Sequence, residues 1–325
     1  MPKQCQFDGP GGPEVIRWSD APEPVPGEGE VAIAHTAVGV NYIDVYHRSG
    51  LYPVPLPSGL GMEAVGTVTA VGAGVAGLAP GDRVAYASAP LGAYAEARAM
   101  PADRVVRVPD ALDDRTAAAI MLKGLTAHAL LFRVFPVRAG HHVLVHAAAG
   151  GAGSLLCAWA HHLGARVIGT VGSAAKAERA LATGCDAVVR YDREPVAETV
   201  RGLTDGRGVD VVYDGVGAAT FEASLDALAP LGMMVSFGNA SGAVPAFAPG
   251  ELARRGSLFL TRPSVIDYTR SRADLETGAA AVFEAVAAGV LRPHIGQTYA
   301  LTDAARAHHD LEDRRTVGAS LLLPA

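Results

Sequence analysis

The spacing of apolar residues changes character along the chain. Up to about residue 110, short apolar runs alternate with clusters of proline and glycine. Val31-Ala32-Ile33-Ala34-His35-Thr36-Ala37-Val38, residues 64–71 and residues 82–87 each have the length and composition of a strand. Pro22-Glu23-Pro24-Val25-Pro26-Gly27, residues 53–57 and Ala79-Pro80-Gly81 interrupt them. Short strands between frequent turns predict a compact β-rich barrel or sandwich, with one short helix over 42–48.

The period lengthens near Thr116. A helical run is expected over 123–135, after which strands and helices alternate. His142-Val143-Leu144-Val145-His146 predicts a strand, and 152–163 a helix. Strands are expected at 166–170, 187–189, 209–213, 233–237 and 257–260, with helices over 174–183, 195–203 and 218–228. Nearly continuous apolar strands between helices imply a parallel sheet covered on both faces, a doubly wound α/β arrangement. Beyond Pro263 come helical stretches over 274–288 and 303–313, then Ala319-Ser320-Leu321-Leu322-Leu323. This tail continues no βαβ unit, and its expected place is back on the first domain.

Composition narrows the function classes. The 325 residues exceed one small core, and half of them are hydrophobic, which suits two packed domains. The net charge of −6 gives no basic face for a nucleic acid or an anionic membrane. Cys5, Cys157 and Cys185 share no short spacing, so neither a disulfide framework nor a metal knuckle is indicated. No uninterrupted apolar run of membrane-spanning length and no secretion signal is read, so the expected compartment is a reducing cytoplasm. His141-His142, His161-His162 and His308-His309 are adjacent pairs. Helical neighbours share no face, so the latter two pairs are poor chelators, and surface positions are expected for all of them rather than metal sites.

The clearest chemical signal is His146-Ala147-Ala148-Ala149-Gly150-Gly151-Ala152-Gly153. A glycine triplet alone is a weak motif. Here it follows a strand and opens a helix, the context a dinucleotide pyrophosphate needs. Glycines at 150, 151 and 153, flanked by Ala149 and Ala152, let the backbone approach the phosphates, and the helix N-terminus offers positive potential. The alternative is a plain packing turn. The second strand ends Ile168-Gly169-Thr170-Val171-Gly172-Ser173, with no acid to bond a ribose 2′-hydroxyl. Ser173 and Lys176 suit a 2′-phosphate instead, so the expected cofactor is NADPH. Two later turns, Asp214-Gly215-Val216-Gly217 and Phe237-Gly238-Asn239-Ala240, also follow strands and are expected beside the nicotinamide half.

Several stretches in order resemble the medium-chain dehydrogenase/reductase superfamily, and within it the zinc-free, zeta-crystallin-like quinone oxidoreductases. They are Gly39-Val40-Asn41-Tyr42-Ile43-Asp44-Val45-Tyr46, Arg48-Ser49-Gly50-Leu51-Tyr52-Pro53, Leu122-Lys123-Gly124-Leu125-Thr126, the glycine-rich turn, Val235-Ser236-Phe237-Gly238-Asn239 and Leu260-Thr261-Arg262-Pro263-Ser264. The resemblance implies a GroES-like catalytic domain formed by residues 1–122 and 263–325, with a Rossmann domain over 123–262 inserted between its parts. It implies a cofactor in the cleft, Thr170, Gly172, Ser173, Lys176 and Tyr191 at the adenosine phosphate, and Val216, Phe237, Gly238, Asn239 and Arg262 along the rest. It also implies an acceptor site bordered by Asn41, Tyr46, Tyr52, Lys123 and Thr126. Asn41 orients the ring or acceptor in this picture, and the tyrosines offer ring faces and hydroxyls.

Zinc relatives carry Gly-His-Glu where this chain has Gly61-Met62-Glu63, and a cysteine in the region that reads Gly39-Val40-Asn41 here. A thioether is a poor zinc ligand, so no metal is expected. The implied activity is metal-free hydride transfer from NADPH to a quinone, by a cytoplasmic homodimer paired near residues 257–261. A reductase of α,β-unsaturated carbonyls (enones, alkenals or enoyl thioesters) on the same site is the alternative. A structural or RNA-binding role, as in some zeta-crystallin relatives, is the non-enzymatic one.

Overall fold

The computed structural model describes residues 1–325. The chain divides into two compact units. The first comprises residues 1–123, 269–287 and 293–325, and the second 124–268 and 288–292.

The first unit opens with β1 (Lys3–Gln6) and β2 (Arg17–Asp20), an antiparallel pair. β3 (Glu30–Val40), helix α1 (Tyr42–Ser49), β4 (Glu63–Val71), β5 (Arg83–Ala87), β6 (Ala97–Pro101) and β7 (Val106–Arg107) follow, and helix α2 (Asp114–His128) leads into the second unit. The Asp44 carboxylate accepts the Asn41 N–H at 2.9 Å and fixes the start of α1. Gly50, at φ +81°, ends that helix in the left-handed region, which a residue without Cβ enters at no steric cost.

The second unit is β8 (His142–Val145), α3 (Gly151–His162), β9 (Arg166–Val171), α4 (Ala174–Ala182), β10 (Ala187–Arg190), α5 (Val196–Gly202), β11 (Val209–Asp214), α6 (Phe221–Ala227), β12 (Leu228–Ser236), α7 (Gly250–Arg254), β13 (Phe259–Thr261) and α8 (Val265–Tyr268). Its six strands lie in the order β10-β9-β8-β11-β12-β13, and every pair is parallel. This is the doubly wound sheet that the alternating pattern predicts. Its strands bury Leu144, Ile168, Val189, Val212 and Met234 against Phe221 and Leu225 of α6 and Val200 of α5.

The tail supplies α9 (Arg272–Ala287), β14 (Ile295–Ala300), α10 (Ala304–Glu312) and β15 (Ala319–Leu323). β15 runs antiparallel to β3, with Ser320 opposite Val40 and Leu322 opposite Val38. The resulting sheet reads β14-β15-β3-β4-β5-β7, with β6 also on β3. Its core joins Ile33, Val68, Tyr86 and Leu60 to Tyr299, Ala304 and Leu322 from the tail.

Five strands go beyond the sequence reading: β1, β2, β6, β7 and β14. β14 reads Ile-Gly-Gln-Thr-Tyr-Ala, too polar to stand out, and becomes a strand through its parallel pairing with β15. The helical run expected over 123–135 begins earlier, at Asp114, and passes into a π-helical turn over Ala129–Val134. Helix Asp114–Val134 is long and apolar enough to cross a membrane by length and composition alone, but Lys123 interrupts its apolar run and most of it is buried within protein, as a core helix is.

Candidate functional site

In the second unit the chain leaves β8 at His146, and Ala147 turns into the left-handed region at φ +52°. That conformation is costly for a residue with Cβ and is often retained at ligand-binding loops. Gly150, extended at φ −80° and ψ 172°, then caps α3. A Cβ on Gly153 would stand 2.3 Å from the Ala147 carbonyl oxygen, so the first turn of α3 packs over the loop only because residue 153 is glycine. The first-turn N–H groups of a helix lack intrahelical acceptors, which makes this end an anion cradle.

The end of β9 forms the neighbouring wall. Ser173 caps α4 and accepts the Lys176 N–H at 3.4 Å. Gly172 lies under the half-exposed Tyr191, where an added Cβ would be 2.4 Å from the Tyr191 hydroxyl. No acid ends β9. The nearest acid in sequence to Tyr191, Asp192, is held by the Arg190 guanidinium at 2.6 and 3.2 Å. Arg190 stands opposite Val171 in the sheet, a cation beside this wall that the sequence reading did not single out. Thr170 differs from its expected place. It is buried, and its hydroxyl lies 2.9 Å from His146 Nδ1, so its side chain supports the strand end rather than facing a ligand.

Beneath the loops runs a buried polar chain. His146 Nε2 lies 2.9 Å from Ser224 Oγ, which is 3.1 Å from Asp214 Oδ2. The one serine proton is taken by an oxygen acceptor, Asp214 Oδ2 or the Thr220 carbonyl at 2.8 Å, so the ring donates from Nε2 and accepts the Thr170 hydroxyl proton at Nδ1. Burial holds the His146 pKa below its ordinary value, with Asp214 opposing, which keeps the ring neutral. Asp214 also accepts the N–H groups of Val216 at 2.7 Å and Gly217 at 3.0 Å and the Thr220 hydroxyl at 2.7 Å, fixing the loop after β11. Phe237 packs on that loop: a Cβ on Gly215 would meet its ring at 3.0 Å, and one on Gly238 would meet the Gly215 carbonyl oxygen at 2.4 Å. Val216, Gly238 and Asn239 thus gather at two adjoining turns, Asn239 half-buried and Arg262 exposed just past β13.

The first unit holds Asn41, Tyr46, Tyr52 and Lys123, while Thr126 belongs to the second, one helical turn beyond Lys123 on α2. Tyr46 is buried and meets Tyr52 edge to face with ring centroids 5.1 Å apart, so Tyr52 carries more of the open ring surface. Asn41 and Lys123 are joined through a buried carboxylate: Glu63 Oε2 accepts Asn41 Nδ2 at 2.8 Å and Lys123 Nζ at 3.1 Å, and Oε1 accepts the Leu122 N–H at 2.6 Å. Beside them, Asp44 Oδ2 accepts the Tyr94 hydroxyl at 3.1 Å. That hydroxyl in turn lies 3.0 Å from His308 Nε2. Burial pushes the Asp44 carboxyl up to about 7, and the nearby Glu63 adds to the rise against the Asn41, Tyr94 and Lys123 contacts. His308, expected at the surface, is fully buried, and burial lowers it to about 3. Met62 is buried, and nowhere do three His, Cys, Asp or Glu side chains converge as a metal site needs.

Residues 27–110 match the alcohol dehydrogenase GroES-like domain, and residues 151–285 match the zinc-binding dehydrogenase family. The quinone oxidoreductase of Pseudomonas aeruginosa is 48% identical over 325 residues, covering 100% of both chains. A 2-haloacrylate reductase from a Burkholderia species is 44% identical, over 97% of this chain and 96% of its own. The crystal structure of Escherichia coli quinone oxidoreductase complexed with NADPH superposes with a TM-score of 0.97 at 46% identity, covering 99% of this chain and 100% of that one. With these full-length likenesses, the chain belongs to the quinone oxidoreductase family of the medium-chain dehydrogenase/reductase superfamily.

Proposed function

We propose that this protein is an NADPH-dependent quinone reductase that works without a metal ion. The observation that carries the reading is the glycine cradle after β8 beside a β9 end that holds a serine and a lysine and no acid. That combination admits a pyrophosphate and favours a 2′-phosphate over a bare ribose. NADPH supplies a hydride when bound. Gly150, Gly151 and Gly153, with Ala149 and Ala152, hold the pyrophosphate. Gly172, Ser173, Lys176 and Tyr191 hold the adenosine phosphate, while Val216, Phe237, Gly238, Asn239 and Arg262 line the remainder.

On the first unit, Asn41, Lys123 and Tyr52 place the acceptor, with Tyr46 backing the Tyr52 ring. A quinone is already electrophilic and needs orientation and water exclusion more than a Lewis acid. Met62, standing where zinc relatives carry a histidine ligand, and the absence of a cysteine from Gly39-Val40-Asn41 support the metal-free reading. The second reading, reduction of an α,β-unsaturated acid or carbonyl, is favoured by the likeness to the 2-haloacrylate reductase and uses the same residues. NADPH turnover with a series of benzoquinones, beside 2-haloacrylates and enones, tests one reading against the other.

The unpaired, buried cysteines suit a reducing cytoplasm. β13 ends its sheet with Phe259 exposed, an edge suited to pairing with a two-fold mate, and we propose a homodimer through it. The net charge of −6 supports neither a nucleic-acid nor a membrane partner.

A further inference from the structure

Glu63 faces Gly39 across the β3–β4 pair. A Cβ on residue 39 would lie 2.1 Å from Glu63 Oε2 and 2.9 Å from the Ala118 carbonyl oxygen. The missing side chain is therefore the space through which the carboxylate crosses β3 to α2. Glu63 is fully buried, and a buried carboxylate is tolerated only when its oxygens are filled by donors. Here the donors are not arbitrary. Two of the three are the side chains of Asn41 and Lys123, and the third is the backbone N–H of Lys123's neighbour, Leu122.

From this arrangement we infer that Glu63 is a positioning residue for the reaction: it sets which end of the Asn41 amide faces the acceptor and where the Lys123 ammonium sits. The inference rests on the reading of Asn41 and Lys123 as acceptor-site residues. The physical reason is polarity. An amide turned the other way would set its carbonyl oxygen against a carboxylate, so Nδ2 is locked onto Glu63, and Oδ1, which also accepts the Asp44 N–H in the capping box, keeps a second lone pair to present. A long lysine side chain loses much rotamer freedom when ordered, and an ion pair at 3.1 Å supplies that order before the acceptor arrives. Asp44 clamps the same asparagine from its backbone N–H, so both ends of residue 41 are fixed by buried carboxylates.

The test is a double-mutant cycle with NADPH and 1,4-benzoquinone in wild type, Lys123→Met, Glu63→Gln and the double variant. Glutamine keeps the size of Glu63 but replaces one acceptor oxygen with a donor, so it cannot serve all three partners. Glu63→Gln is expected to lower kcat about ten- to a hundredfold, the range for losing a charge-assisted hydrogen bond. The NADPH dissociation constant by fluorescence titration stays near wild type, and a crystal structure of the unliganded variant shows the Asn41 amide turned. In the Lys123→Met background the same substitution costs distinctly less. An equal factor in both backgrounds, or an unmoved amide, overturns the proposal alone. An unchanged kcat in Lys123→Met removes the reading of the site and the proposal with it, and the two failures are distinguishable. If Glu63→Gln does not fold, Gly39→Ala displaces the carboxylate with both charges kept and is expected to show the same kcat loss. If neither folds, Glu63 serves the fold and the proposal falls.

Discussion

His146 and Thr170 share a hydrogen bond of 2.9 Å at the adjoining ends of β8 and β9. The bond continues through Ser224 to Asp214, so the bases of three strand-end loops are held by one buried chain of polar groups. Leucine at 146 takes the acceptor from the buried Thr170 hydroxyl and a donor from Ser224, which keeps Asp214. His146→Leu is expected to destabilise the second unit by about 1–3 kcal/mol. Urea denaturation followed by tryptophan fluorescence checks this, and an unchanged midpoint counts against a structural role for the chain.

The cradle after β8 makes two separable predictions. In Gly153→Ala the new methyl meets the Ala147 carbonyl, which is backbone and cannot swing aside, so the loop must shift. Stability and NADPH affinity are expected to fall together. Gly151→Asp places a carboxylate at the first turn of α3, beside the approaching pyrophosphate. It is expected to weaken NADPH by more than about tenfold through charge repulsion, with the unfolding midpoint nearly kept. Titration and thermal unfolding of both variants distinguish the two effects. Normal affinity in Gly151→Asp places the phosphates elsewhere.

Lys176→Glu is expected to weaken NADPH by about tenfold, the lower end for a charge-assisted contact at a partly exposed site, and to leave NADH nearly unchanged. The quantity to compare is the ratio of kcat/KM for the two cofactors, at low and moderate salt, because screening compresses an exposed ion pair. Equal losses for both cofactors, or a wild type that prefers NADH, contradict the role given to Lys176.

Asp44 makes stability depend on pH. Its carboxyl is raised by burial to about 7, whereas in the unfolded chain it has the ordinary value of 3.8. Between those values the folded protein holds a proton that the unfolded chain has released, so this contribution is full below about pH 4 and is lost as pH rises through about 7. His308 works the other way, since burial lowers it to about 3 and its neutral form is favoured as pH rises toward 6.5. The stability of wild type relative to Asp44→Asn isolates the carboxyl. That difference is expected to decline from pH 5 to pH 8, by an amount on the order of a few kcal/mol. A flat difference contradicts the buried, proton-holding Asp44.

Much of this is legible in the sequence alone. The parallel sheet follows from apolar strands spaced by helices, and β15 follows from the run Ala319 to Leu323, because both are local patterns. The cradle is legible because glycine spacing carries its own steric meaning. Glu63 is not. Its partners lie 22 and 60 positions away, and only the β3–β4 register with a glycine opposite brings them together. His308, expected at the surface, carries a signal of burial in the sequence: Ala304, His308 and Leu311 fall on one helical face, and that stripe packs inward. Thr170 ends a strand toward the cofactor side in sequence, but the alternation of a strand cannot say that its hydroxyl is taken by His146.

The central claim is metal-free hydride transfer from NADPH to a quinone. It is tested most directly by the steady-state rate of NADPH oxidation with 1,4-benzoquinone in the presence of a strong chelator, beside the same measurement with 2-chloroacrylate. We expect turnover undiminished by the chelator, with kcat/KM higher for the quinone than for the acrylate. Loss of quinone turnover in chelator, restored by zinc, or a clear preference for the acrylate, would contradict the account.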